Sequence, residues 1–92
     1  MTSGFEISKE DRELLAPLKI DYMIHPCALW RVAGGWGPHQ IWVWRRTGPT
    51  AGFFTGEEEW AVGVNNWSNA AKFKTREEML AEVMALKLQY GL

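Results

Sequence analysis

The sequence predicts an α+β fold: a short N-terminal helix, an antiparallel β-meander of three to five strands, and a C-terminal helix packed on one sheet face. His39–Arg46 follows a glycine-rich turn and is read as the returning strand of a hairpin, and Trp60–Val64 is read as a further strand with Trp60, Val62 and Val64 on one face. Thr75 and Glu78 form a T-x-x-E capping box, which predicts the start of the last helix. A chain of 92 residues is expected to form one domain, residues 1–92, in which the helix buries one face of the sheet.

The N-terminal segment predicts a short helix and then a strand. Ser8 is a candidate N-cap for a helix over Lys9–Ala16, and Pro17 ends it because the residue before a proline avoids the helical conformation. Lys19–Ile24 then alternates like a strand, until His25-Pro26 breaks it. The residues expected to face the same way are Ile20, Tyr22 and Ile24.

A hairpin at the centre of the chain carries most of the aromatic and basic side chains. Its predicted strands are Cys27–Ala33 and His39–Arg46, joined by the turn Gly34–Pro38. Within the second strand, Trp42 and Trp44 share one face. The other face carries Ile41, Val43 and Arg45. Because both faces carry large side chains, one is expected to pack on the core, and the other to be covered by another element or exposed for binding.

The chain after the hairpin predicts a loop over Thr47–Gly52, a short strand over Phe53–Thr55, and a helix over about Arg76–Gln89 that ends at Gly91. The apolar residues of this helix cover more than half of its circumference: Met79, Leu80, Val83, Met84, Leu86 and Leu88. So wide an apolar arc either covers a sheet thoroughly or contributes to a homo-oligomer contact.

The composition limits the partners and the compartment. Ten basic and eleven acidic residues give a net charge of −1, so no global field attracts nucleic acid or an anionic membrane. The apolar runs are far too short to span a membrane. Cys27 is the single cysteine, which favours a reducing compartment, and the N-terminus lacks the pattern of a signal peptide. We therefore expect a cytoplasmic protein with no membrane partner.

The segment Trp67–Glu78, WSNAAKFKTREE, resembles the end of many small phage and mobile-element proteins. In those proteins a strand ends near a tryptophan, an Ala-Lys-Phe step follows, and a Thr-x-Glu-Glu box starts the last helix. The matching positions are Trp67, Ala71, Lys72, Phe73, Thr75, Glu77 and Glu78, and the helix departs by having Met79 where a small residue is common. The resemblance implies a phage-type accessory protein, similar to anti-CRISPR proteins, which occludes a host machine. It implies no ligand and no catalytic residue.

A tryptophan- and arginine-rich surface on the hairpin is the candidate binding site. Its residues are Trp36, Arg31, Trp42, Trp44, Arg45 and Arg46. Tryptophan and arginine are enriched at protein-interface hot spots, but they also stack on bases and contact phosphates of single-stranded nucleic acid. A third interpretation is that the tryptophans fill the core of a small domain. Trp36 is the most informative, because a core residue is least expected in a Gly-Gly-Trp-Gly-Pro turn.

Few side chains could carry catalysis or hold a metal ion. His25, Cys27 and His39 lack the spacing of a catalytic pair or a metal site, and Glu57–Glu59 has the pattern of a solvated acidic turn. We therefore expect a non-enzymatic binding protein, without cofactor or metal, that docks on a host protein complex. The alternative is a small domain that binds single-stranded nucleic acid or a nucleotide through the hairpin.

Overall fold

The computed structural model describes residues 9–16, 18–20, 22–24, 28–46, 54, 56–66 and 70–92. Predictions for the following positions lie outside them: the Ser8 cap, the breaks at Pro17 and His25-Pro26, Cys27, the loop Thr47–Gly52, and Trp67.

Two helices and five strands form the described part of the chain. They are α1 (Lys9–Leu15), β1 (Tyr22–Ile24), β2 (Leu29–Ala33), β3 (Ile41–Arg45), β4 (Trp60–Val64), β5 (Ala71–Phe73) and α2 (Arg76–Tyr90). Each strand pairs antiparallel with the next one along the chain, so the sheet is a five-stranded meander. The predicted α+β fold, with a helix at each end of a meander, is confirmed.

Some strands begin or end at other residues than the sequence predicts, because hydrogen-bonded pairing with the neighbouring strand sets their length. β4 has the predicted bounds. β1, β2 and β3 are shorter than the predicted strands Lys19–Ile24, Cys27–Ala33 and His39–Arg46, because the strand pairing does not extend over all of their residues. β5 was not predicted as a strand, because three residues are too few to show a period, and its pairing with β4 creates it. Phe54, from the strand predicted over Phe53–Thr55, lies in a bend and in none of the five strands.

The sheet has one face toward α2 and one face away from it. Residues that pair directly across neighbouring strands have their side chains on the same face of the sheet, so each row of paired residues belongs to one face. The central row toward α2 is Met23, Trp30, Val43, Val62 and Ala71. The neighbouring row on the opposite face is Tyr22, Arg31, Trp42 and Gly63. Trp42 and Trp44 share one face, as predicted, and the structure shows that this face points away from α2, while Ile41 and Val43 are fully buried on the other.

α2 begins at the predicted capping box. The Glu78 backbone N–H donates to Thr75 Oγ1 over 3.2 Å, and the Thr75 backbone N–H donates to Glu78 Oε1 over 3.1 Å. The helix ends at Gly91, whose φ of 67° is the left-handed conformation that glycine adopts most easily.

The apolar arc of α2 is only partly covered by the sheet. Met79 and Val83 are fully buried, but the side of the helix that carries Met84 and Leu88 faces solvent, with Leu88 85% exposed. Leu80 and Leu86 also pack against the core, so only the Met84 and Leu88 side of the arc remains open.

Candidate functional site

The face of the sheet away from α2 encloses an arginine among aromatic rings. Arg31 is only 3% exposed, and its Cζ atom lies 4.5 Å from the ring centre of Trp36, 5.4 Å from that of Tyr22 and 5.8 Å from that of Trp42. Such cation–π contacts each contribute about 0.5–2 kcal/mol, more when they are shielded from water. We call the three rings Tyr22, Trp36 and Trp42 the aromatic patch.

Pairing of the strands places two of these rings beside the arginine. Arg31 pairs with Tyr22 across one ladder and with Trp42 across the other, so both rings flank it on the same face. Tyr22 and Trp42 meet edge to face, with ring centres 6.2 Å apart and planes at 86°, a geometry that aromatic pairs favour.

The third ring comes from the hairpin turn. Gly34 has a φ of 93°, and a Cβ atom at this position would clash with the carbonyl oxygen of His39, so the turn requires glycine. The Gly37 backbone N–H closes the turn by donating to the Gly34 carbonyl over 2.8 Å. This tight turn places Trp36 over Arg31 and at 6.3 Å from Tyr22, between ring centres.

Asn65 anchors the base of the same turn. Its Oδ1 accepts from the Gln40 backbone N–H over 2.7 Å, and its Nδ2 donates to the Pro38 carbonyl over 2.9 Å. Asn65 has a φ of 68°, which asparagine tolerates better than most residues. The hairpin tip is therefore held from the end of β4 as well as by its own turn.

The aromatic patch is exposed although the cation beneath it is buried. Trp36 is 84% exposed and Tyr22 is 42% exposed. One face of the Trp36 ring meets the guanidinium, and most of its remaining surface is in contact with water. An exposed aromatic group fixed on a buried cation is a ready anchor for a partner.

Trp44 lies further along this face in a separate cluster. Its ring centre is 5.3 Å from that of Phe54, which is only 3% exposed, so Phe54 covers part of Trp44. The cross-strand partners of Trp42 and Trp44 are the small residues Gly63 and Ala61, which leave room for the large rings on the sheet.

The other two candidate arginines point to local partners. Arg45 lies on the face toward α2, with its Cζ atom 5.7 Å from the ring centre of Trp60. Arg46 donates from Nη1 to the Gly56 carbonyl over 2.6 Å and more weakly to the Glu58 carbonyl over 3.3 Å. The structure thus brings together Arg31, Trp36 and Trp42, and places Trp44, Arg45 and Arg46 elsewhere.

Tyr22 and Phe54 are the aromatic residues of this face that the sequence prediction missed. The alternation of Lys19–Ile24 predicted that Tyr22 faces the same way as Ile20. In the structure Ile20 packs against the core, whereas Tyr22 lies on the opposite face. The strand β1 begins only at Tyr22, so the period of two does not extend back to Ile20.

Of the histidine and cysteine side chains that raised the question of catalysis, only His39 lies among the described residues. His39 stacks on Tyr90, with ring centres 4.6 Å apart, while His25 and Cys27 lie outside the described residues. Among the residues that the structure describes, no three His, Cys, Asp or Glu side chains gather as they would around a metal ion. Within the same residues, no helix has the length and apolarity needed to cross a membrane.

Fold and site together define an α+β meander protein with an exposed aromatic patch on the sheet face that α2 leaves open. Comparison of the chain with protein-family models, with curated proteins and with solved structures finds no match.

Proposed function

We propose that the protein is a non-enzymatic binding protein that docks on another protein through the aromatic patch, with Trp36 as its anchor. The observation that carries this proposal is the combination of 84% exposure of Trp36 with a cation–π contact, in which its ring centre lies 4.5 Å from the Cζ atom of Arg31. A contact that restrains a side chain before binding reduces the conformational entropy lost when the complex forms. Exposed tryptophans of this kind are the residues on which interface affinity usually concentrates.

The placement of the arginines favours a protein partner over nucleic acid. A phosphate track requires accessible cations spaced along a groove. Arg31 is 3% exposed and Arg45 lies on the opposite face of the sheet. Arg46 is exposed, but it is a single cation whose guanidinium donates to loop carbonyls. Because the exposed ring of Trp36 could still stack on a base, single-stranded nucleic acid or a nucleotide is the alternative ligand.

The kind of partner rests on the resemblance of Trp67–Glu78 to small phage and mobile-element proteins. It extends the proposal to a cytoplasmic, phage-type inhibitor that occludes a host defence complex, as anti-CRISPR proteins do. The capping box within this segment starts α2. This part of the resemblance concerns the junction between sheet and helix, so it supports the fold and does not specify the partner.

The test compares capture of host proteins by wild type and by two single variants. Tagged wild type, Trp36→Ala and Leu88→Ala are incubated with host lysate, and the bound proteins are identified by mass spectrometry. Leu88 controls for the loss of an exposed apolar side chain, because it is as exposed as Trp36 but lies on α2, where the predicted homo-oligomer contact is separate from the aromatic patch. We expect a defined protein complex to be captured by wild type and Leu88→Ala and lost with Trp36→Ala. Equal capture by all three proteins, or recovery of nucleic acid in place of protein, would contradict the proposal.

A homo-oligomer through α2 is a separate prediction. Its support is the exposed side of the helix, where Met84 and Leu88 are 52% and 85% exposed. Sedimentation velocity of wild type and of Leu88→Glu checks it. We expect the wild type to sediment as an oligomer that the new charge dissociates, and a monomeric wild type at high concentration would exclude it.

A further inference from the structure

A groove of about 330 Å³ lies between the end of β4 and the C-terminal half of α2. Its apolar lining includes Val62, Val64 and Leu86, while Glu82, His39 and Tyr90 contribute polar and aromatic groups. The volume is at the lower end of the range of small-molecule sites, which begins near about 300 Å³. The groove is on the α2 side of the sheet, so it is separate from the aromatic patch.

Glu82 sets the charge of this groove. It is partly buried in the wall, and the hydrogen bonds and ion pairs found among the described residues do not involve its carboxylate. The other two glutamates of α2 have partners, since Glu78 completes the capping box and Glu77 lies 3.6 Å from Arg76. A carboxylate that is partly removed from water without a donor is unfavourable, and a bound cation would offset this cost.

The far end of the groove offers an aromatic surface. The rings of His39 and Tyr90 lie 4.6 Å apart between centres, with their planes inclined by 35°. A tyrosine ring attracts cations to its face and also packs on apolar groups. Asn65, which lines the same groove, already uses both ends of its amide on the hairpin, so it adds little to ligand recognition.

We propose that this groove binds an organic ammonium ion with an apolar body. The ammonium group meets the Glu82 carboxylate, and the apolar body packs against the partly exposed side chains of Val64 and Leu86, bounded by the His39–Tyr90 pair. An anion of the same shape is repelled by Glu82, and a neutral analogue leaves the carboxylate without its counter-charge. A free arylalkyl amine and a lysine side chain of a partner protein share this chemistry.

The test is an NMR titration of ¹⁵N-labelled protein with three probes of similar shape. The probes are 2-phenylethylammonium, the neutral 2-phenylethanol and the anionic 3-phenylpropanoate. We expect saturable shifts of the Gly63, Asn65 and Asn66 amides, which lie at the groove, with the ammonium probe and much weaker shifts with the other two. Equal shifts with all three probes, or no saturable shift with any of them, would overturn the proposal.

Two glutamate variants test whether Glu82 is the group that binds the ammonium ion. Glu82→Gln is expected to weaken ammonium binding by about fivefold, the upper range for a partly exposed ion pair. Glu77→Gln is the same substitution on the same helix, 79% exposed and outside the groove lining, and it should leave the affinity unchanged. The amide spectra report directly whether each variant is folded. Unchanged affinity in Glu82→Gln would sink the assignment.

A fourth titration separates the two sources of the amine. The probe is lysine with both backbone ends blocked and its side-chain amine free. Binding as strong as that of 2-phenylethylammonium indicates a partner's lysine, whereas a clear preference for the aryl probe indicates a free amine. Either result supports an ammonium site in the groove.

Discussion

Arg76 donates a hydrogen bond from Nε to the carbonyl oxygen of Leu14 over 2.5 Å. Its Nη2 donates to the Ala16 carbonyl over 2.7 Å. Carbonyls at the end of a helix have no partner within that helix, and a cation there also meets the negative end of the helix dipole. Arg76, the first residue of α2, therefore supplies hydrogen-bond donors to carbonyl oxygens at the C-terminal end of α1. A helix of seven residues is too short to be stable alone, so this bond and the buried Leu15 hold α1 in place.

Replacing Arg76 should destabilise the protein through α1. Arg76→Ala removes both hydrogen bonds and leaves the carbonyl oxygens without this donor, so we expect the free energy of unfolding to fall by about 1–3 kcal/mol. Arg12→Ala, an exposed position on α1, is the control and should change it by no more than about 0.5 kcal/mol. Urea denaturation followed by circular dichroism measures both. Equal midpoints for the two variants would mean that the Arg76 bonds contribute nothing.

Removing the cap of α2 should cost as much as a typical N-cap. Thr75→Ala deletes the oxygen that accepts from the Glu78 N–H, and we expect a loss of about 0.5–2 kcal/mol in the free energy of unfolding. Thr75→Ser retains this oxygen and should behave nearly as wild type. The measurement is thermal or urea unfolding of the three proteins. A midpoint for Thr75→Ala that matches wild type would show that the helix does not depend on this box.

A carboxylate should unfold the protein at Val83 but be tolerated at the adjacent position Met84. Val83→Asp places an unpaired carboxylate in a fully buried position and is expected to unfold the domain. Met84→Asp, one residue on, introduces the same group where the side chain is 52% exposed, and the protein should remain folded. Circular dichroism and proton NMR dispersion distinguish the two results. A folded Val83→Asp protein would contradict the packing of this face against the sheet.

Trp36 should contribute to binding far more than to folding. Trp36→Ala removes one of three rings around Arg31 from an exposed position, so we expect a stability loss of about 1 kcal/mol or less. Affinity for a captured protein partner should fall by about 2 kcal/mol or more, as at other hot spots. Calorimetry of unfolding and a binding titration measure the two effects. An unfolded Trp36→Ala protein would instead assign the ring to the core.

The double variant Arg45→Ala/Arg46→Ala separates the two classes of ligand. We expect a smaller effect of this variant than of Trp36→Ala on protein binding, because these arginines lie away from the aromatic patch. Titrations at two salt concentrations against the protein partner and a labelled oligonucleotide make the comparison. Oligonucleotide binding that falls steeply with salt and is lost in the double variant would favour the nucleic-acid alternative.

Much of the fold could be predicted because its signals are local. Thr75 and Glu78 are three residues apart, and their hydrogen bonds form within one helical turn, so the box is readable from the sequence. The alternation within β3 likewise assigned Trp42 and Val43 to opposite faces before the sheet was known. β5 escaped prediction because its three residues become a strand only through pairing with Trp60–Val62 of β4.

By itself, the sequence determined the fold class, the cap of α2 and the composition of the hairpin, because these depend on propensities and spacings of a few residues. The tertiary structure decided which hairpin residues act together. Arg31 and Trp42 are adjacent only through strand register, and Tyr22 joins them from β1, nine positions before Arg31 in sequence. Only the path of the Gly34 turn places Trp36 over the guanidinium. Such juxtapositions depend on strand register and on the path of the turn, which the spacing of residues along the sequence does not specify.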